Sequence, residues 1–144
     1  GKKLVKAFCK RWRVPRAHTE LALITAEFHT LVHRALELKP STLLKLFVST
    51  DSMRKPERFQ KMLDACLADL RGRKDFTDAA YPQADFLARL ALKLQQLDIT
   101  ELQRQGLTGK AMGEAIRTAR LDLIRQEKAL AQPQQGQFSV DDSQ

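Results

Sequence analysis

Two histidines, His29 and His33, lie four residues apart within an amphipathic stretch. At this spacing both imidazoles lie on one face of a helix, where they could reach the same metal ion. The sequence contains neither an HExxH arrangement nor an evident third ligand. The pair taken alone is therefore interpreted as surface or core histidine rather than as a metal centre.

The carboxylates are not placed for catalysis. Asp64 and Asp69 lie five residues apart on one predicted helix and face different directions, whereas two-metal nucleotidyl transfer needs a close pair. Asp69 precedes Arg71 and Arg73 and is interpreted as a partner in an ion pair at the helix end. Walker, GxSxG and EF-hand motifs are absent from the sequence. The residues alone therefore predict no catalytic centre.

The basic residues are more informative. The 144 residues include 25 Lys and Arg against 17 Asp and Glu, a formal charge of +8, and this excess favours a polyanionic partner. Gly106, Gly109 and Gly113 mark a loop-to-helix junction, where backbone N–H groups and Lys110 could attract phosphate. Turn and packing chemistry is the alternative for the glycines, and a solvated basic surface is the alternative for the charge.

Helices are the elements that would position these residues. In the central segment, 54–73, apolar residues recur at steps of three and four: Phe59, Met62, Leu63, Cys66, Leu67 and Leu70. Basic residues occupy the opposite side of this segment and its exit. The central helix is therefore predicted to supply a core stripe and a basic surface at once.

Similar periodicity predicts the rest of the fold. The other predicted helices are 2–13, 16–36, 42–49, 81–96 and 109–130, with a short turn of helix at 99–105. No alternation typical of β-strands interrupts them, so the predicted fold is all-α, a bundle or array of about six helices without a sheet. Residues 132–144, rich in Gln and poor in apolar residues, are expected to form a disordered tail.

The cysteines and the start of the chain bear on location. Cys9 and Cys66 fall in apolar helical stripes without CxxC or Cys–His zinc spacing, so both are expected to be buried thiols in a reducing, cytoplasmic setting. No apolar run approaches the about 20 residues that span a bilayer, and no signal peptide is evident. The chain opens with Gly1 and a basic amphipathic helix, which suggests a piece of a longer protein.

Several short segments are specific when they are taken together and in order. They are CKRWRVP at 9–15, AEFHTLVH at 26–33, KPSTLLKLF at 39–47, RKPERF at 54–59, ADLRGR at 68–73, YPQADFL at 81–87 and QGLTGKAMGEAIRTARL at 105–121. In these segments the chain resembles the C-terminal part of a bacterial CCA-adding enzyme, a tRNA nucleotidyltransferase of the type that carries an HD phosphohydrolase domain. The resemblance extends from Gly1 to about Ile124.

The resemblance implies a parent enzyme that adds C, C and A to the tRNA 3′ end from CTP and ATP with Mg²⁺. Its catalytic head and nucleotide-selecting neck would precede Gly1, as would the His-Asp pair of the HD domain, whose divalent metal would be one such as Ni²⁺ or Mg²⁺. His29 matches a histidine late in that domain and is the candidate metal-site residue of this chain. No catalytic residue, bound cofactor or nucleotidyltransferase activity is expected of this segment alone.

The resemblance also divides the chain. Residues 1–38 would be the last helices of an HD-type domain, 39–131 a helical tail domain that holds tRNA, and 132–144 the disordered tail. A basic helical face suits tRNA, which is recognised by shape through phosphate and 2′-OH contacts. The predicted tRNA contacts are Arg54, Lys55, Arg58, Arg71, Arg73, Lys110, Arg117 and Arg120.

Two other classes of protein are compatible with the residues. A helical protein-interaction module would use Leu4, Val5, Phe8 and Trp12 as a dimer surface, exposed if the upstream half of the HD domain is absent, so the chain is expected to be a monomer or a dimer. A DNA-binding helix-turn-helix protein would use the helices at 2–13 and 16–36. A preference for folded tRNA over duplex DNA would argue against the second class.

Overall fold

The computed structural model describes residues 1–132. Within that range the helices are α1 (Lys2–Arg11), α2 (Arg16–His33), α3 (Pro40–Ser49), α4 (Pro56–Arg71), α5 (Pro82–Gln95), α6 (Thr100–Arg104) and α7 (Gly109–Ala131), with a 3-10 helix at Ala35–Glu37. No β-strand occurs in these residues, and the all-α prediction is confirmed. The expected short turn of helix at 99–105 is α6. The expected disordered tail, 132–144, lies outside the described residues except for Gln132.

Three of the helices begin at a proline. Pro40, Pro56 and Pro82 occupy the first turns of α3, α4 and α5. The ring fixes φ near its helical value, and the missing N–H group would have had no partner in a first turn. The starts of these helices are therefore determined by local sequence.

A single cluster of buried apolar side chains joins α2, α3, α4, α5 and α7. Phe47 of α3 and Phe59 of α4 meet in this cluster, with 5.4 Å between their ring centroids. The predicted stripe of α4 faces it, with four residues buried and the last two at its margin: Phe59, Met62, Leu63, Cys66, Leu67 and Leu70. The cluster includes side chains from both sides of residue 38, and the division of the chain there stays a prediction about domain organisation.

The first helix leaves an apolar face open to solvent. α1 packs mainly on α2, and Cys9 is buried between them. Leu4, Phe8 and Trp12 keep 77%, 61% and 63% of their surface exposed. This exposure agrees with the expectation for a surface that lacks its neighbour. No helix within residues 1–132 combines the length and the apolar character needed to cross a bilayer.

The last helix is anchored by its second half. Ile124 of α7 is buried in the shared cluster, and Lys128 Nζ donates to the Leu38 carbonyl at 2.6 Å. Lys93 of α5 also pairs with Glu127. These contacts hold α7 alongside the connection between α2 and α3, so the first half of α7 lies beside α3.

The glycines before α7 act as turn residues. Gly106 and Gly109 have φ values of 71° and 56°, in the left-handed region that favours glycine. A Cβ at either position would meet no atom within 4 Å, so backbone conformation rather than space explains these glycines. Their position therefore supports the turn interpretation.

Candidate nucleic-acid interface

The eight predicted contact residues lie on three separate surfaces, two of which involve α4. Arg54, Lys55 and Arg58 line a groove between α2 and α4, here called the α2–α4 groove. Arg71 and Arg73 lie at the end of α4, here called the α4 exit. The remaining three, Lys110, Arg117 and Arg120, lie on the first half of α7.

Glu20 lies at the centre of the α2–α4 groove, which encloses about 700 Å³. Its Oε2 atom lies 3.3 Å from Arg58 Nη1 and 3.8 Å from Lys55 Nζ. A hydrogen bond from Arg16, followed by the positive charge of Lys55, lowers the pKa of Glu20, so the carboxylate is ionised at neutral pH. The basic charge of this groove is therefore partly neutralised from within.

Arg54 is exposed but already paired. Its guanidinium forms a bidentate pair with the Asp51 carboxylate, in which Nη2 donates to Oδ2 at 2.7 Å and Nε donates to Oδ1 at 2.9 Å. The hydrogen bond from Arg54 lowers the pKa of Asp51. A pair this exposed is worth little to stability, so Arg54 can exchange Asp51 for a phosphate at small cost.

Arg58 has a different environment from the other predicted contacts. Its side chain is only 19% exposed, Nη2 donates to the Thr50 carbonyl at 2.7 Å, and Nη1 donates to Glu20. The Thr50 carbonyl lies at the end of α3, where no helical N–H group follows to bind it. Arg58 therefore ties α4 to α2 and α3, and its predicted contact with RNA stays a prediction.

The α4 exit contains a hydrogen-bonded network around Asp69. Arg73 Nη2 donates to Asp69 Oδ2 at 2.8 Å, and His33 Nε2 lies 3.1 Å from the same oxygen. The Tyr81 hydroxyl lies 2.7 Å from His33 Nδ1. Hydrogen bonds from Arg73 and then His33 lower the pKa of Asp69. The predicted ion pair at the helix end is thus present with Arg73, whereas Arg71 has no ion pair among residues 1–132.

Both cysteines are buried free thiols, as predicted. Burial, with a smaller contribution from the Asp69 charge, raises the pKa of the Cys66 thiol to about 11. The thiol is therefore protonated at neutral pH, and Cys66 is a core residue rather than a nucleophile.

The basic face of α7 borders a second groove, which lies between α3 and α7 and encloses about 420 Å³. Arg117 lines this groove, and so does Lys45 of α3, which the sequence reasoning missed. A signal for Lys45 exists, since Ser41, Lys45 and Val48 recur at steps of four and three opposite the buried residues of α3. Lys110 projects from the start of α7 and lies 4.0 Å from Glu114.

The histidine pair does not form a metal site within the described residues. His29 Nδ1 lies 3.2 Å from the carbonyl oxygens of Thr25 and Ala26, and His33 is bound to Asp69 and Tyr81. No group of three or more His, Cys, Asp or Glu side chains in residues 1–132 is arranged to hold an ion. A metal role for His29 would need ligands from beyond these residues, and it stays a prediction.

The chain is similar to curated bacterial proteins that are called multifunctional CCA proteins. It is 46% identical over 126 residues to the one from Thioalkalivibrio sulfidiphilus, 52% identical over 122 residues to the one from Alcanivorax borkumensis, and 46% identical over 128 residues to the one from Pseudomonas syringae pv. syringae. These alignments cover 88%, 85% and 89% of this chain but 31%, 30% and 31% of the relatives. The chain thus spans about a third of the length of the curated relatives that it matches. No protein-family model and no solved structure matches it.

Identity at this level extends over nearly nine tenths of the chain. The resemblance to the C-terminal part of a bacterial CCA-adding enzyme is therefore confirmed. The chain is thus similar to a part of the multifunctional CCA proteins that makes up about a third of their length.

Proposed function

We propose that the parent protein is a tRNA nucleotidyltransferase that adds CCA to the tRNA 3′ end, and that this segment helps to hold the tRNA. The similarity to multifunctional CCA proteins supports the first part. CTP, ATP and the Mg²⁺ that assists phosphoryl chemistry would bind to parts of the parent outside this chain. The contribution of this segment would be to position the tRNA body, without nucleotidyltransferase activity of its own.

The observation that supports the tRNA-holding role is the exposure of the basic side chains. Six of the eight predicted contacts are exposed, and the other two, Arg58 and Arg120, are half-buried. A rigid helical scaffold that presents spaced cations can neutralise phosphates along a folded RNA, which is recognised by its shape. The affinity that comes from contacts between cations and phosphates falls steeply as the salt concentration rises.

Binding to tRNA and to duplex DNA of similar length, measured by fluorescence anisotropy at several salt concentrations, tests this role. We expect tighter binding to tRNA. Replacement of the exposed pair Arg54→Gln with Lys55→Gln should reduce the slope of log K against log salt by about 2, since each phosphate contact contributes about 1. Arg58 is left intact because its loss would also disturb the fold.

Lys3→Gln with Lys6→Gln is the matched control, since it removes two exposed charges from α1. For this control variant, the slope of log K against log salt should stay close to that of the unmodified chain. Equal binding to tRNA and duplex DNA, or no binding at low salt, would mean that the basic surfaces are solvated and that any tRNA contacts of the parent come from elsewhere.

We further propose that α1 and α2 complete an HD-type phosphohydrolase domain, with a divalent metal such as Ni²⁺ or Mg²⁺ held mainly by residues of the parent that precede this chain. The open apolar face of Leu4, Phe8 and Trp12 supports this, because such a face packs against a neighbour in a complete domain. His29 would be the contribution of this chain to the metal site. Its Nε2 atom is the ring nitrogen not bound to the backbone carbonyls.

The same face supports a second candidate, a protein-interaction module. Without its neighbour the chain should self-associate through α1, and Phe8→Gln with Trp12→Gln should abolish this association without unfolding the chain, since both rings are exposed. Sedimentation velocity over a range of concentrations measures the association. Trp12 is the single tryptophan of the chain, so acrylamide quenching of its fluorescence reports whether the face is covered. A monomer at all concentrations with a fully quenchable Trp12 would contradict the module.

A further inference from the structure

The groove between α3 and α7 differs from the α2–α4 groove in the charges that line it. Its lining contains Lys45 and Arg117 and the hydroxyl residues Ser41, Thr42 and Ser49, but no Asp or Glu. The α2–α4 groove, by contrast, contains Glu20 and Glu57 among its cations.

The two cations of this groove are not engaged by carboxylates of the described residues. Neither Lys45 nor Arg117 forms an ion pair with any of residues 1–132. Arg54 and Arg73 would each have to leave a carboxylate before binding an anion. Lys45 and Arg117 need not, so an anion in this groove meets two cations that hold no carboxylate in an ion pair within residues 1–132.

The walls of the groove are held by the core. The side of α3 opposite the groove is buried in the core cluster through Leu43, Leu46 and Phe47. The side chain of Ile124 on α7 is buried in the same cluster. Lys128 holds the end of α7 to the Leu38 carbonyl. The spacing between the two cations is therefore maintained by packing, which lowers the conformational cost of binding a ligand between them.

We propose that this α3–α7 groove is a subsite for the phosphodiester backbone of RNA, bound by Lys45 from one wall and Arg117 from the other. The hydroxyl groups of Ser41, Thr42 and Ser49 provide hydrogen bonds to phosphate or ribose oxygens. The lining from Ser41 to Ser49 follows about 12 Å of α3, which suits consecutive nucleotides better than one phosphate ion. The proposal rests on the proposed tRNA-holding role and assigns a further residue, Lys45, to that surface.

Lys45→Gln with Arg117→Gln tests the subsite, with binding to tRNA measured by anisotropy between 50 and 200 mM salt. The loss of two phosphate contacts should reduce the salt slope by about 2, so the ratio of affinities at the two salt concentrations should fall by about tenfold. The charge-conserving variant Lys45→Arg with Arg117→Lys should retain most of the binding. Lys3→Gln with Lys6→Gln again controls for charge removed elsewhere.

Amide chemical shifts provide a second measurement. A short single-stranded RNA should shift the amides of Ser41, Thr42, Lys45, Ser49 and Arg117 in a saturable manner, and inorganic phosphate should shift them weakly by comparison. Unchanged tRNA binding by the Gln variant, with no shifts in the groove, would overturn the subsite while leaving the tRNA-holding role intact. Shifts with phosphate but no binding of tRNA by the unmodified chain would overturn both.

Discussion

Replacement of Phe59 by alanine is expected to lower the free energy of unfolding by about 3–5 kcal/mol. Phe59 is 2% exposed, and its ring packs against Phe47 at 5.4 Å between centroids. Truncation removes the buried ring and its aromatic contact and leaves a cavity that the surrounding helices can close only in part. Because Phe59 packs α4 against α3, the substitution weakens the packing that attaches the basic central helix to the core.

Urea unfolding followed by far-UV circular dichroism measures this change. Phe76→Ala is the matched control, because Phe76 is 47% exposed in the connection between α4 and α5. The control should lose less than about 1 kcal/mol, as is usual for surface substitutions. A Phe59 variant no less stable than the control would contradict the place of this ring in the core.

Replacement of Arg58 by alanine is expected to lower the free energy of unfolding by about 1–3 kcal/mol, because it leaves a buried carbonyl without its donor. That carbonyl belongs to Thr50, a residue with no exposed surface, and it accepts a hydrogen bond of 2.7 Å from Arg58. The substitution also removes one of the cations beside Glu20. Arg58 therefore connects three helices through one guanidinium.

Arg54→Ala is the appropriate control, since it removes a guanidinium from the same segment. Its pair with Asp51 is exposed, so the loss of stability should be much smaller than for Arg58→Ala. Thermal and urea unfolding of both variants should separate them clearly. If Arg58→Ala is as stable as Arg54→Ala but binds tRNA far more weakly, then Arg58 acts as a contact with RNA rather than as a tie between helices.

The position and type of most helices follow from the sequence, because they depend on neighbours three or four residues away. The stripe of α4 was predictable from its periodicity, and the starts of α4 and α5 follow from Pro56 and Pro82. The predicted start of α3 at residue 42 was wrong, because Pro40 already occupies the first turn of this helix. The burial of Cys9 and Cys66 could be predicted for the same reason, whereas the exposure of the α1 face was expected only if the upstream half of the HD domain is absent. The resemblance to CCA-adding enzymes rested on short segments in order, which needs no tertiary information.

The partners of the charged residues could not be predicted in this way. Arg54 and Arg58 lie four positions apart in the central segment, but their partners differ. Arg58, within α4, binds Thr50 at the end of α3 and Glu20 of α2. Arg54, which precedes α4, binds the nearby carboxylate of Asp51. The spacing correctly placed His33 beside His29, with 6.1 Å between the ring centroids, but it could not predict the hydrogen-bond partners of His33, Asp69 and Tyr81, which lie 36 and 48 residues away.

The sequence by itself determined the helical class, the core stripes and the resemblance to CCA-adding enzymes, since each is encoded in local pattern or in the order of segments. The tertiary structure decided which cations are neutralised and which are available. Lys45 and Arg117 lie 72 positions apart in sequence (117 − 45) and line one groove only because α7 packs beside α3. Electrostatic interactions depend on distance in space, and long-range packing is what sets that distance.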